Sequence, residues 1–188
     1  MRILSGDPGK VNFALSVTEF KDKRIEILGT RMFQNPIQNL HHDMRQPVKD
    51  FMKELDDIWK RYGPFDAMCF ERFQSRGLGG NTIEAISLML GVLSMFALKK
   101  NCPIDLITAS QWKNAFNRTM DLKGYYAHYN LTSKKSRKAI HEFDASLIGM
   151  YTFYRHTNRK PFAGFDRIVD VYVPKFLSSP VLWGKHGT

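Results

Sequence analysis

Residues 2–31 read RILSGDPGKVNFALSVTEFKDKRIEILGTR, three runs of apolar and β-branched residues cut by two short polar breaks. Arg2 to Gly6, Asn12 to Phe20 and Arg24 to Arg31 are the expected strands, separated by Asp7-Pro8-Gly9 and by Lys21-Asp22-Lys23. Connections this short join neighbouring antiparallel strands, so the chain opens on a meander. Beyond it the pattern alternates. Val48, Phe51, Met52, Leu55, Ile58 and Trp59 recur at helical spacing and stop near Gly63-Pro64, and Asp66 to Glu71 is a short apolar strand. Arg72 to Gly80 is polar and glycine-rich, a loop by composition. Asn81 then offers an N-cap with Glu84 three residues on, opening a helix to about Lys100. Ile104 to Thr108 is a fifth strand, Ser110 caps a short helix through Trp112 and Phe116, and a last helix spans about Ser136 to Tyr154. This order predicts an α/β fold: a mixed five-stranded sheet, three antiparallel strands then two parallel, flanked by helices.

With 188 residues, 43% hydrophobic and 24% charged, the chain suits one compact domain over 1–188. Its 28 Lys and Arg against 18 Asp and Glu give a formal charge of +10, which attracts polyanions, nucleic acid above all. The most apolar run, Ala85 to Leu98, is shorter than the roughly 20 residues that span a bilayer. A strand beginning at Arg2 leaves no room for a signal peptide. No membrane association is therefore expected. Cys69 and Cys102 form no CxxC pair, so a reducing, cytoplasmic compartment is expected, with Cys69 a buried small hydrophobe. Asn117-Arg-Thr119 and Asn130-Leu-Thr132 match a glycosylation sequon by chance. The helix after Asn81 is apolar almost all round, through Ile83, Ile86, Leu88, Met89, Leu90, Val92, Leu93, Met95 and Phe96. It is either central to the core or covered by a second subunit, and a dimer contact is the favoured reading.

Asp7 stands where the first strand ends, and Glu71 ends the fourth strand after Ala67, Met68, Cys69 and Phe70. His141 and Asp144, three residues apart, share one side of the last helix beside the apolar stripe Ile140, Phe143, Leu147, Met150, Tyr151 and Tyr154. A bare anion at that edge of the core is unfavourable, and either a lysine or a divalent cation would satisfy Asp144. Three carboxylates and a histidine from two strand ends and a helix are what a magnesium or manganese phosphodiesterase needs. Two such ions about 4 Å apart hold an attacking water and a leaving oxygen in line across a phosphate. Glu142 points roughly 100° away from His141 on an ideal helix and stays outside the set. Lys134, Lys135, Arg137 and Lys138 crowd the start of the same helix, where the macrodipole disfavours cations and a phosphate backbone would neutralise them. Phe73, Gln74 and Arg76 follow Glu71, and Phe73 is placed either to stack on an unpaired base or to anchor its loop. His41 and His42, adjacent and without ligand-spaced partners, are surface residues.

Taken together, the chain resembles the RuvC-type Holliday junction resolvases of the RNase H-like superfamily, especially the short bacteriophage versions. Ile3-Leu4-Ser5-Gly6-Asp7-Pro8-Gly9 resembles the family's opening strand with its catalytic aspartate. Phe70-Glu71 matches its second acidic motif, and His141-Glu142-Phe143-Asp144-Ala145 its closing motif. Ser110-Gln111-Trp112-Lys113 is similar to the segment after the fifth strand, with Lys113 and Lys123 at positions where basic residues assist at the scissile phosphate. The resemblance covers about Met1 to Tyr154. It implies an RNase H-like nuclease domain and Asp7, Glu71, His141 and Asp144 as ligands of two Mg²⁺ ions, with Mn²⁺ able to substitute and no organic cofactor. It further implies a homodimer that nicks four-way DNA junctions symmetrically and leaves 5′-phosphates, in the host cytoplasm if the chain is phage-encoded. Phe73 stands two residues beyond Glu71, where the family's wedge aromatic stands three. Residues 155–188, with Arg155, Arg159, Lys160, Arg167, Lys175 and Lys185, have no counterpart in the family and form a C-terminal extension. Competing readings are a nuclease for forks, flaps or RNA–DNA hybrids, and a non-catalytic DNA-binding protein. An actin-like phosphotransferase would need a second similar domain, for which 188 residues leave no room.

Overall fold

The computed structural model describes residues 1–21, 24–40, 42–72, 77, 79–117 and 137–157. In chain order the elements are β1 (Arg2–Pro8), β2 (Asn12–Lys21), β3 (Arg24–Gln34), α1 (Arg45–Tyr62), β4 (Ala67–Arg72), α2 (Gly80–Lys99), β5 (Ile104–Thr108), α3 (Ala109–Asn117) and α4 (Arg137–Thr157). One sheet takes all five strands in the order β3-β2-β1-β4-β5. The first three strands pair antiparallel, and β4 and β5 add on in parallel, as the alternation of elements predicts.

Side chains of period two divide the sheet into two faces. Leu4, Phe13, Leu15, Val17, Met68 and Phe70 join Phe51, Leu55 and Ile58 of α1 and Met89, Leu93 and Phe96 of α2 in one core cluster. Ile3, Ala67, Cys69 and Ile107 face the other way, against Trp112 and Phe116 of α3 and Phe143, Leu147 and Ile148 of α4. The predicted stripe on α4 holds: Phe143, Leu147, Met150 and Tyr154 are buried, with Ile140 and Tyr151 packed at its margin. Burial pushes the Cys69 thiol up to about 12, which makes it the inert hydrophobe expected.

Four expectations need correction. Asp7 is a strand residue and not a turn residue, because pairing with β2 continues through Asp7↔Ala14 and Pro8↔Phe13. Asn81 does not cap α2. Gly79 precedes the helix in an extended conformation and its carbonyl accepts from Thr82 and Ile83, so the first turn forms earlier, with no side-chain cap. Ser110 does not cap α3 either: Thr108 Oγ1 accepts from the Gln111 N–H at 3.3 Å while Gln111 Oε1 accepts from the Thr108 N–H at 2.7 Å, a reciprocal capping box. Finally, α2 is 20 residues long and holds an 18-residue window with a mean hydropathy of 1.6, so length and composition alone would let it cross a membrane. Here its inner face is packed in the core, and its outer face carries Met95, 62% exposed, and Leu98, 72% exposed.

A seam of small polar residues lets α4 lie close on the sheet. Ser5 and Ser16 stand opposite each other on β1 and β2. Ser5 Oγ donates to the Ala145 carbonyl at 2.6 Å, and Ser146 Oγ donates to Ser16 Oγ at 2.8 Å. A Cβ at Gly149 would stand 2.7 Å from both Ser5 Oγ and Thr18 Oγ1. Replacing a helical glycine by alanine ordinarily gains about 1 kcal/mol. At Gly149 overpacking of about 1–3 kcal/mol opposes that gain, so Gly149→Ala is expected to lower the denaturant midpoint; a raised midpoint would show that the seam is looser than described.

Candidate active site

Period two that sorts the core also sets the acids. Ser5 and Asp7 on β1, and Cys69 and Glu71 on β4, share the face covered by α4, and the parallel register Gly6↔Phe70 puts Asp7 and Glu71 side by side at the ends of adjacent strands. On the opposite face a Cβ at Gly6 would meet the Phe13 and Phe70 rings at 2.8 and 2.9 Å. The glycine is therefore what lets these rings close beneath the strand end that carries Asp7.

The N-terminal half of α4 brings the remaining groups. His141 Nδ1 and Asp7 Oδ2 are hydrogen-bonded at 2.5 Å. Asp144 is 6% exposed, deeper than the edge position expected of it, and Lys113 Nζ of α3 lies 3.5 Å from its Oδ2. Glu71 Oε2 accepts a hydrogen bond from Trp112 Nε1 at 2.8 Å. Lys113 Nζ sits 4.8 Å from the centroid of the Trp112 ring. Five of the expected site residues, Asp7, Glu71, Lys113, His141 and Asp144, thus converge.

Their charges are felt mutually. Burial raises the pKa of the Glu71 carboxyl, the Trp112 hydrogen bond opposes that rise, and the Asp7 and Asp144 charges add to it while Lys113 counteracts them. The hydrogen bond to Asp7 raises the pKa of the His141 imidazole; burial works against it, and the Asp7 and Asp144 charges reinforce it. Among the described residues no three acidic, histidine or cysteine groups stand at the spacing of a shared ion. As the side chains stand, Lys113 and His141 occupy the neighbourhoods of two carboxylates. The donor chemistry nevertheless fits a hard divalent cation: three carboxylates share a half-buried recess, the Asp7 and Asp144 charges add to the burial that opposes ionisation of Glu71, and oxygen ligands suit such ions.

Phe73, Gln74, Arg76, Lys123, Lys134 and Lys135 lie outside the described residues, as does His41. Arg137 and Lys138 are in the first turn of α4. His42 is exposed. In the sequence Trp112 stands on its short helix and in the Ser110-Gln111-Trp112-Lys113 motif without a role, yet it is the group that holds Glu71. Its signal in the sequence was a tryptophan set between the polar Gln111 and Lys113, which binary patterning alone reads as core.

The fold has solved counterparts. The Thermus thermophilus RuvC structure matches over 84% of this chain and 97% of that chain, with a TM-score of 0.64 at 17% identity. RuvC of T. thermophilus in complex with a Holliday junction substrate matches over 84% and 96%, with a TM-score of 0.63 at 17% identity. The yeast mitochondrial Holliday junction resolvase matches over 83% and 82%, with a TM-score of 0.50 at 16% identity. This likeness establishes the RNase H-like fold. A scan against protein-family models and a search of curated proteins returned no match.

A folded-state pKa raised above the unfolded value means that ionised Glu71 destabilises the fold. That cost is full above the raised pKa and vanishes below the unfolded value, about 4.3. In EDTA, Glu71→Gln is expected to raise the unfolding midpoint at neutral pH and to lose the advantage near pH 4. An advantage that stays constant with pH would mean that charge is not its source.

Proposed function

We propose that this chain is a structure-selective endonuclease that resolves four-way DNA junctions by metal-dependent phosphodiester hydrolysis, leaving symmetric nicks with 5′-phosphates. The observation that carries the reading is the convergence of Asp7, Glu71 and Asp144 with His141 and Lys113 at strand ends of an RNase H-like sheet. A fold shared with a RuvC solved on its junction substrate supports the choice of DNA. The +10 charge supports a polyanionic partner.

In this reading Asp7, Glu71 and Asp144 hold two Mg²⁺ ions, with Mn²⁺ able to substitute. Bound there, such ions supply Lewis-acid stabilisation of the phosphate and a water of lowered pKa. His141, tied to Asp7 through Nδ1, is a further ligand or orients the attacking water. Lys113 turns from Asp144 to the phosphate, where its ammonium meets the charge that grows in the transition state, and Lys123 assists. Phe73, Gln74, Arg76, Lys134, Lys135, Arg137 and Lys138 are assigned to DNA contact. The reducing cytoplasm suits two buried free cysteines.

The outer face of α2 supports a homodimer. Met95 and Leu98 project from it beside Ser87 and Gly91, which are also exposed. A second copy packed there would remove that apolar surface from water, and a two-fold dimer would place two active sites symmetrically about a two-fold junction. Leu98→Asp is expected to yield a monomer in sedimentation and to abolish paired nicking; an unchanged dimer would move the interface elsewhere.

The direct test uses labelled four-way, forked, flapped and linear DNA with and without Mg²⁺. The wild-type chain should cut the four-way junction only with metal, and Asp7→Asn should lose cutting by about two to three orders of magnitude while junction binding persists, a loss within the range of removing an electrostatic catalytic group. Preference for forks or flaps would assign the other branched-DNA reading. Binding without any nicking would make the chain a DNA-binding protein.

A further inference from the structure

We infer that Trp112 is a positioning residue of this site: its indole N–H fixes one oxygen of Glu71 while its ring face seats the Lys113 ammonium against Asp144. The inference rests on the proposed reading of the site and adds a residue to it. Trp112 is 0% exposed and packs with Ile107, Phe116 and Phe143 in the cluster beneath α4. Any large apolar side chain would meet that packing need. Tryptophan alone among the large hydrophobes brings an N–H that only donates: it cannot accept a proton from Glu71 or exchange roles with it. Its 2.8 Å bond to Oε2 therefore orients the carboxylate in its ionised form. Glu71 Oε1 has no hydrogen-bond partner among the described residues, so one oxygen is committed and the other is left for a ligand.

The ring face does a second task. Residues 112 and 113 point roughly 100° apart on a helix, so Lys113 would ordinarily lead away from its neighbour. Instead its Nζ folds back to 4.8 Å from the indole centroid and 3.5 Å from Asp144 Oδ2. A cation held over an aromatic face is attracted by the negative face of the ring. One side chain thus ties the carboxylate of β4 to that of α4. The indole is fixed in turn by the Thr108 and Gln111 capping box at the start of α3 and by the Phe116 ring, 6.3 Å away at 69°. Groups that hold a ligating carboxylate in this way change metal affinity or activity by about 10–100-fold when removed.

Trp112→Phe keeps a ring face and removes the donor; Trp112→Leu removes both. Mn²⁺ binding to the full chain without DNA, followed by electron paramagnetic resonance, should weaken about tenfold in Trp112→Phe and Trp112→Leu alike, since both lose the donor on Glu71. In junction cleavage kcat should fall by a similar factor, with junction affinity in EDTA unchanged. Phe96→Leu, in the opposite core cluster, should lower the unfolding midpoint and leave Mn²⁺ affinity alone. In the metal-free wild type, the Trp112 indole N–H resonance should lie downfield and move upfield in Glu71→Ala, a readout that needs neither metal nor activity and survives if the Trp112 variants fail to fold. An indole resonance indifferent to Glu71→Ala, or a folded Trp112→Phe that binds Mn²⁺ and cuts as the wild type does, overturns the inference. A wild type that cuts no junction overturns the function instead, and the resonance and the Mn²⁺ titration still decide the role of Trp112.

Discussion

Repulsion among three carboxylates, Asp7, Glu71 and Asp144, is the constraint to which the rest of this molecule answers. Each is shielded from water by the fold; burial opposes the ionisation of Glu71, and the charges of Asp7 and Asp144 add to it. Such an arrangement is unfavourable for stability and is maintained only because the surrounding packing fixes it. Three groups moderate it within the chain: His141 bonded to Asp7, Lys113 beside Asp144, and the indole N–H of Trp112 on Glu71. Cations bound by the same oxygens, as proposed, would moderate it further.

The architecture serves that convergence at each level. Alternation along parallel β1 and β4 sends Asp7 and Glu71 to one face while Leu4, Met68 and Phe70 fill the other. Gly6 admits two aromatic rings behind the first acid. On the acid face, Ser5, Ser16, Thr18, Ser146 and Gly149 replace bulky side chains, and α4 lies near enough to the sheet for His141 and Asp144 to reach the strand ends. A larger residue in that seam would push the helix outward and carry Asp144 with it.

Much of this was legible in the sequence, for identifiable reasons. Hydrophobic periodicity is dictated by burial, so the strand and helix order and the sheet composition followed from it, as did the stripe Phe143, Leu147, Met150 and Tyr154. Acids finishing apolar strands or edging an apolar helix are costly without a purpose, which marked Asp7, Glu71 and Asp144. Helix starts were misplaced because several residues near each start could cap, and geometry chose Gly79 and Thr108 over Asn81 and Ser110. The role of Trp112 is not legible in the sequence because burial and hydrogen bonding draw on the same side chain, and only the three-dimensional partner separates them. The small polar seam escaped notice for a related reason: Ser5 and Ser16 break the apolar pattern, and nothing local says that a helix will come close above them.

Crystals soaked in Mn²⁺ and measured at a wavelength where manganese scatters anomalously would locate bound ions without reference to any activity. Anomalous peaks bridging the oxygens of Asp7, Glu71 and Asp144, with the Lys113 ammonium displaced from Asp144, are the predicted result. Ions bound only elsewhere, with Lys113 and His141 still against their carboxylates, would contradict the role assigned to these three acids.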